Sequence, residues 1–134
     1  MDFRSAKTRH IRLGAFGEKA AGNMLRSKGM DILLTNHRNR GGELDIIALD
    51  GTTICFVEVK TRRVGSKSAP GENLSPAQMK RMERAAAIYL EEIGSPKLPH
   101  RFDLVEVLAN LWDVKSIRHW TNIATTRKTH GKKR

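Results

Sequence analysis

The stretch GGELDIIALDGTTICFVEVKTR, residues 41–62, decides the fold. Two apolar runs, 43–49 and 53–62, flank Asp50 and Gly51, and Asp-Gly is among the strongest short-range signals for a tight hairpin. The pattern predicts two antiparallel strands at the centre of a sheet. Three charged residues stand where a sheet core favours valine or isoleucine: Asp45, Glu58 and Lys60. These charges need a structural or a chemical reason.

The length of the hairpin loop decides whether the two carboxylates can meet. Side chains alternate along a strand, so Glu58 and Lys60 share one face. A two-residue loop places Asp45 opposite Phe56 and diagonal to Glu58, and a four-residue loop places it directly opposite Glu58. A three-residue loop separates the carboxylates across the sheet. We expect an even-numbered loop, which brings both to one face.

Two crowded carboxylates favour a bound cation, because they repel each other and burial adds to the cost unless one group is protonated. Carboxylate oxygens suit Mg²⁺ or Mn²⁺, which keep several waters and bind substrate phosphates. We expect a metal held by Asp45 and Glu58, with the backbone carbonyl of Val59 as a further candidate ligand. Lys60 is placed to contact the attacking water or the phosphoryl oxygens. Glu18, at the margin of the first helix's apolar stripe, is a candidate ligand through water or an orienting group.

A structural explanation exists for the same residues, since antiparallel sheets often keep one face in water. On that interpretation Asp45, Glu58 and Lys60 form an exposed ion-pair network. Glu43 shares their face and is interpreted as a structural partner of Lys60, with a metal-ligand role as the alternative. Gln78 is interpreted first as a capping residue, with a site role as the alternative.

The rest of the chain predicts an α/β domain. Apolar periodicity predicts a helix over 13–29 and a second helix over 76–93, the latter begun by a serine N-cap and a proline. Strand patterns are found over residues 31–36, 43–49, 53–62, 102–108 and 114–120. The order is α-β-β-β-α-β-β, which predicts a mixed β-sheet flanked by helices.

The 134 residues fit one domain. We assign the domain to residues 13–122, with a basic N-terminal arm over 1–12 and a basic tail over 123–134 that is expected to be disordered until bound. A lone cysteine and the lack of an apolar signal or a long apolar run predict a cytoplasmic protein.

Charge predicts the partner. The chain has 25 Lys and Arg against 14 Asp and Glu, a net charge of +11. Such a surface attracts polyanions, with nucleic acid as the first expectation and an anionic membrane as the weaker one. Five basic residues flank the candidate pocket from two loops and are candidates for phosphate contacts: Arg38, Arg40, Arg62, Arg63 and Lys67.

Asp45 followed by Glu58-Val59-Lys60 resembles the D…ExK signature of the PD-(D/E)XK nuclease superfamily. The chain is also similar to the YraN-type uncharacterised bacterial proteins, which look like archaeal Holliday-junction resolvases in fold. The segments that carry this resemblance are G-E-K-A-A at 17–21, N-H-R at 36–38, G-E-L-D-I-I-A at 42–48, F-V-E-V-K-T-R at 56–62, K-R-M-E-R-A-A at 80–86 and R-F-D at 101–103.

The resemblance implies a restriction-endonuclease-like core and a metal-dependent DNA endonuclease, with branched DNA as the expected target. The matching active-site positions are Glu18, Asp45, Glu58 and Lys60. Leu44 stands where the superfamily has its eponymous proline, which is not a ligand. A resolvase cuts two strands symmetrically and would act as a homodimer. The alternative is a nucleic-acid-binding protein without catalysis that uses the same basic surface.

Overall fold

The computed structural model of the chain describes residues 3–65, 74–110 and 113–123, and for residues 3–12 it describes the backbone alone. Two helices and five strands follow one another in the order α-β-β-β-α-β-β. They are α1 (Phe3–Ser27), β1 (Asp31–Asn39), β2 (Gly42–Asp50), β3 (Thr53–Arg63), α2 (Pro76–Glu92), β4 (His100–Asn110) and β5 (Asp113–Trp120).

The strands form one mixed sheet in the order β1-β2-β3-β4-β5. All neighbouring pairs are antiparallel except β3 and β4, which are parallel because α2 crosses over between them. The α/β class, the mixed sheet and the element order predicted from the sequence are confirmed.

The first helix begins at Phe3, earlier than the predicted start at Leu13. The apolar stripe that marks the helix starts at Leu13, but Arg, Ala and Lys in the preceding segment are good helix formers. Most of the segment predicted as an arm therefore continues α1. The predicted tail, apart from Ile123, lies outside the described residues, as does the middle of the loop predicted over 64–74.

Each face of the sheet is covered by one helix. The side facing α2 has a buried cluster that includes Leu44, Ile47, Phe56, Met79, Met82 and Tyr89. The side facing α1 has a second buried cluster that includes Ala21, Leu25, Ile46, Cys55, Val57, Val59 and Val105. The alternation of buried side chains along β3 thus assigns Phe56 and the following even-numbered residues to the α2 face.

Close backbone approaches fix both helices against the sheet. A Cβ atom at Gly17 of α1 would overlap the Thr61 side chain of β3. At the other helix, a Cβ at Gly41 would lie 2.9 Å from the backbone nitrogen of Ala85. The Asn39 side-chain amide donates to the Ala85 carbonyl at 3.0 Å, which ties the β1–β2 turn to α2. These contacts place both helices close to the central hairpin.

Candidate active site

The β2–β3 hairpin has the register that directs Asp45 toward Glu58. Asp50 pairs with Thr53 across a two-residue turn at Gly51 and Thr52, and the ladder runs to the pair Ile46–Val57. The next positions in this register are Asp45 and Glu58. The loop is even-numbered, as expected, but its two residues are Gly51 and Thr52 rather than Asp50 and Gly51. The register is therefore the one expected for a four-residue loop, with the carboxylates opposite each other, and not the diagonal one expected for a two-residue loop.

Asp45 interrupts the ladder and bonds to the backbone of the neighbouring strand. Its Oδ2 accepts a hydrogen bond of 2.8 Å from the Val59 N–H. On the other side, the β1–β2 pairs Thr35–Ile46 and His37–Leu44 flank Asn36, which has a positive φ of 52°. Asparagine tolerates this left-handed conformation better than most residues. Asn36 and Asp45 face each other between these two pairs, and the regular strand pairing is interrupted at both residues.

The Asp45 and Glu58 side chains are close enough to share a hydrogen bond. Lys60 Nζ lies 3.6 Å from Glu58 Oε2, and the two side chains are 25% and 20% exposed. The three charged side chains that the sequence singled out are thus brought together on the α2 side of β3. Their limited exposure makes electrostatic interactions among them stronger than between surface charges.

Both carboxyl groups of this pair have pKa values above their ordinary values. Burial raises the pKa of Glu58 to about 7, and the negative charge of Asp45 adds to the effect, while Lys60 opposes it. Burial also raises the pKa of Asp45, although the Val59 N–H bond lowers it. Near neutral pH the pair therefore has affinity for a proton or for another positive charge.

Glu18 approaches the same carboxylates from α1. Burial raises its pKa, the charge of Asp45 adds to this, and a hydrogen bond with the Asn36 side chain lowers it. Glu18 also lines a cleft of about 470 Å³ on the α1 side, together with Leu13, Gly14, Val59, Thr61, Arg62 and Arg63. Glu18 therefore interacts electrostatically with Asp45, but it lines the cleft on the α1 side of the sheet.

A smaller pocket of about 180 Å³ opens over the two carboxylates on the α2 side. Its lining consists of Gly42, Glu43, Asp45, Glu58, Gln78, Arg81 and Met82. Glu43 and Gln78, for which the sequence left two roles open, both line it. Gln78 is also the capping residue predicted from the sequence, because its Oε1 accepts from the Ser75 N–H at 2.9 Å.

Arg81 was missed by the sequence analysis. It is a basic residue in the lining of a pocket that also contains three acidic residues, and its backbone and Cβ pack beside Gly42. The available signal was its position three residues after Gln78, since residues at i and i+3 lie on the same side of a helix. That signal identifies the site only when the placement of α2 over β2 is known.

The predicted nucleic-acid contacts divide into three groups. Arg38 is exposed and lies 3.5 Å from Glu43, and Arg40 is exposed in the β1–β2 turn. Arg62 and Arg63 line the cleft beside Glu18. Lys67 lies outside the described residues. Basic side chains thus border both openings of the candidate site.

The donor set fits a hard divalent cation with few protein ligands. In residues 3–65, 74–110 and 113–123 there is no group of three or more His, Cys, Asp or Glu arranged to hold a metal. Asp45 and Glu58 supply oxygen ligands, and the Val59 carbonyl lies on the strand side that faces Asp45, because the N–H and C=O of a strand residue point the same way. Mg²⁺ is commonly held by one or two carboxylates and several waters.

The fold and the site define an α/β protein whose central hairpin presents two adjacent, half-buried carboxylates to a pocket under a helix, with a lysine beside one of them. The model of the family described as "Uncharacterised protein family UPF0102" matches residues 17–107. The chain belongs to this family. The match agrees with the resemblance to the YraN-type proteins and includes Glu18, Asp45, Glu58 and Lys60.

Relatives in the family cover most of the chain. A UPF0102 protein of Chlorobaculum tepidum is 44% identical over 108 residues, which are 81% of this chain and 84% of that protein. A UPF0102 protein of Symbiobacterium thermophilum is 47% identical over 96 residues, 72% of this chain and 81% of that protein. One from Nocardia farcinica is 46% identical over 96 residues, 72% and 76% of the two chains.

Among the helices in the described part of the chain, none is long and apolar enough to cross a bilayer.

Proposed function

We propose that the protein is a metal-dependent nuclease that hydrolyses phosphodiester bonds in DNA. The observation that carries the proposal is that the Asp45 and Glu58 carboxylates stand opposite each other in the hairpin and line one pocket, with Lys60 Nζ 3.6 Å from Glu58. Two carboxylates that share a partly buried site raise each other's pKa, and a cation relieves that repulsion. A purely structural ion-pair network would have no need to pair two acids.

Asp45, Glu58 and the Val59 carbonyl would hold Mg²⁺ or Mn²⁺. A bound ion of this kind supplies Lewis-acid activation of a water and of the phosphoryl group. Lys60 places an ammonium where negative charge develops on the phosphoryl oxygens. Glu18, close to Asp45 and hydrogen-bonded to Asn36, orients groups at the edge of the site. Arg81 lines the pocket and is placed to pair with an incoming phosphate.

The basic surface supports DNA as the substrate. A net charge of +11 favours polyanions, and each phosphate neutralised by Arg or Lys releases counterions. Arg62 and Arg63 border the cleft on one side, and Arg38 and Arg40 lie on the β1–β2 hairpin. Branched DNA is the proposed target by family resemblance. Symmetric cleavage of a four-way junction would require two sites and hence a homodimer.

The test is a cleavage assay on linear, single-stranded, flapped and four-way DNA with Mg²⁺, Mn²⁺ or chelator. We expect metal-dependent cleavage of at least one substrate by the wild type. Glu58→Gln, which keeps the side-chain shape but removes the charge, and Lys60→Ala should abolish cleavage while DNA affinity stays nearly unchanged. The proposal fails if every substrate remains intact with both metals.

A DNA-binding protein without catalysis is the second candidate. The basic side chains near both openings support this candidate as well, because Arg and Lys bind phosphates without any metal. It predicts that affinity responds to salt and to Arg62→Ala or Arg63→Ala, whereas Glu58→Gln changes nothing. Cleavage distinguishes the two candidates, because both predict the same binding: the second candidate is supported if fluorescence anisotropy shows salt-dependent affinity for DNA that stays intact with either metal.

A further inference from the structure

Glu106 is a buried carboxylate on β4 next to the candidate site. It is 7% exposed, which is unusual for a charged side chain. In the parallel β3–β4 ladder it is the partner of Lys60, and in the β4–β5 ladder it is the partner of Arg118. Residues paired in this way direct their side chains to the same face of a sheet.

The aromatic residues of the same ladder identify that face. Phe56 of β3 pairs with Phe102 of β4, and their rings stack with centroids 5.6 Å apart in the core under α2. Side chains alternate along a strand, so every second residue shares a face. On β3, Glu58 and Lys60 therefore share the face of Phe56. On β4, Leu104 and Glu106 share the face of Phe102. Glu106 therefore stands beside Lys60 on the face that carries the carboxylate pair.

Trp120 of β5 fixes the orientation of this carboxylate. The indole Nε1–H donates a hydrogen bond of 2.7 Å to Glu106 Oε1, which is short for an N–H donor and typical of a charged acceptor. Trp120 pairs with Leu104, so it reaches Glu106 diagonally from the neighbouring strand. Oε2 of Glu106 is also buried.

Lys60 thus has an acidic neighbour on each of two strands. Glu58, two residues earlier on its own strand, has Oε2 3.6 Å from Lys60 Nζ, and Glu106 stands beside it on β4. An ammonium has three N–H donors and a flexible stem, so a single contact leaves its position poorly determined. A second carboxylate that is itself held by a tryptophan restricts that position.

We propose that Glu106, oriented by Trp120, is a positioning residue that holds the Lys60 ammonium in place beside the Asp45–Glu58 pair. The inference rests on the proposed function for its catalytic consequence. Through Glu106 and Trp120, strands β4 and β5 contribute to a site that otherwise consists of residues from β2, β3 and the two helices. Glu106 acts on the reaction through Lys60 and does not itself contact the substrate.

The kinetic test compares three substitutions on the same DNA substrate. Glu106→Gln should lower kcat on the order of tenfold with KM unchanged, as supporting residues around catalytic groups typically do. Trp120→Phe keeps the ring but removes the N–H donor, and should lower kcat by a smaller factor. Arg118→Gln is the matched control, because Arg118 is the charged residue opposite Glu106 on β5, and its replacement should leave kcat at the wild-type value.

A second measurement does not depend on cleavage. Lysines are reductively methylated with ¹³C-formaldehyde, and the Lys60 signal is assigned by its loss in Lys60→Arg. The Lys60 resonance should shift in Glu106→Gln and in Trp120→Phe, and should stay in place in Arg118→Gln. Circular dichroism confirms that each variant is folded, and Trp120→Phe serves as the test if Glu106→Gln does not fold.

The outcomes separate the two proposals. An unmoved Lys60 resonance in the folded variants overturns the positioning role, as does an equal loss of kcat in Glu106→Gln and Arg118→Gln. If the wild type cleaves no DNA, the proposed function fails, while a Lys60 shift confined to the Glu106 and Trp120 variants still supports the link between Glu106 and Lys60.

Discussion

Two regions of the sheet bury carboxylates with opposite results. On the α1 side, Asp103 is fully buried and accepts hydrogen bonds from Arg101, from His119 at 2.8 Å and from the Asn122 N–H at 3.1 Å. Burial alone would raise its pKa, but these donors hold the pKa of Asp103 below its ordinary value. The Asp103 carboxylate is therefore fully ionised and satisfied by the protein itself.

Asp45 and Glu58 have far fewer partners. Their donors are the Val59 N–H and the Lys60 ammonium, and each faces the other acid. The pKa values of both groups are raised. The comparison teaches that burial of a carboxylate does not by itself indicate function. A carboxylate with a complete set of donors serves stability, whereas an incompletely neutralised pair has capacity left for an external cation.

Removing Asp103 should have the largest effect on stability. Asp103→Ala leaves Arg101 and His119 without their buried acceptor, and breaking a buried charged network costs about 3–5 kcal/mol of unfolding free energy. Asp113→Ala is the control, because Asp113 is 70% exposed and pairs with Lys115 at the surface, so its change should stay within about 0.5 kcal/mol. Urea unfolding measures both. Equal losses in the two variants would remove the distinction between the regions.

Substitution of Gly17 tests the close packing of α1 against β3. Gly17→Ala should destabilise the protein by about 1–3 kcal/mol, because the new methyl group overlaps Thr61. Gly14→Ala is the matched control on the same helix, where no atom lies within 4 Å of the added carbon. It should be neutral or stabilising by up to about 1 kcal/mol through helix propensity. Thermal unfolding of the two variants compares them, and a loss of the same size in both would show that the contact is unimportant.

Glu58→Gln should stabilise the folded protein at neutral and alkaline pH. The folded-state pKa of about 7 exceeds the ordinary value of 4.5, so the native state binds the proton more tightly. The wild type therefore loses stability as pH rises from about 4.5 to about 7, and the penalty is fully present above that range. We expect the variant to exceed the wild type by about 1–2 kcal/mol at pH 8 and by much less at pH 5.

Unfolding titrations of wild type and Glu58→Gln at several pH values check this prediction. Asp103 provides the contrast, because its lowered pKa contributes stability that is present above its unfolded pKa and lost only as pH falls through the lower folded value. If the difference in unfolding free energy between the wild type and Glu58→Gln becomes smaller toward pH 8, the raised pKa of Glu58 is contradicted.

Divalent metal should produce the smallest shift. A ligand that binds only the native state stabilises it by about 1 kcal/mol at roughly five times its Kd. Mg²⁺ or Mn²⁺ should therefore raise the Tm of the wild type modestly and leave that of Glu58→Gln unchanged. Differential scanning fluorimetry at constant ionic strength measures the effect, and an identical rise in both proteins would place the ion elsewhere.

Local patterns predicted most of the fold. The β2–β3 hairpin, the alternation along β2 and β3, and the Ser75 cap each depend on neighbouring residues, so sequence suffices for them. The exact turn was shifted by one residue, from Asp50–Gly51 to Gly51–Thr52. The start of α1 was missed because the segment before Leu13 has good helix formers but no apolar stripe to mark it.

The sequence predicted the members of the candidate site that lie on the hairpin, and named Glu18 and Gln78 as candidates on the helices. It missed Arg81 and Glu106. Asp45, Glu58 and Lys60 share one register, whereas Arg81 reaches the pocket only through the packing of α2. The Glu106–Trp120 bond and the Asp103–His119 bond depend on the β4–β5 register, which includes a shift near Leu108. Short-range patterns contain no information on that shift.

Val59, the residue between Glu58 and Lys60, donates its backbone N–H to Asp45. The site uses only the main chain of this residue, while its side chain is 9% exposed and packs on the opposite face with Val57 and Ala21. Isoleucine at this position should thus preserve both the bond and the packing. Proline would remove the donor, and a charged residue would disturb the α1 side of the core without touching the acids.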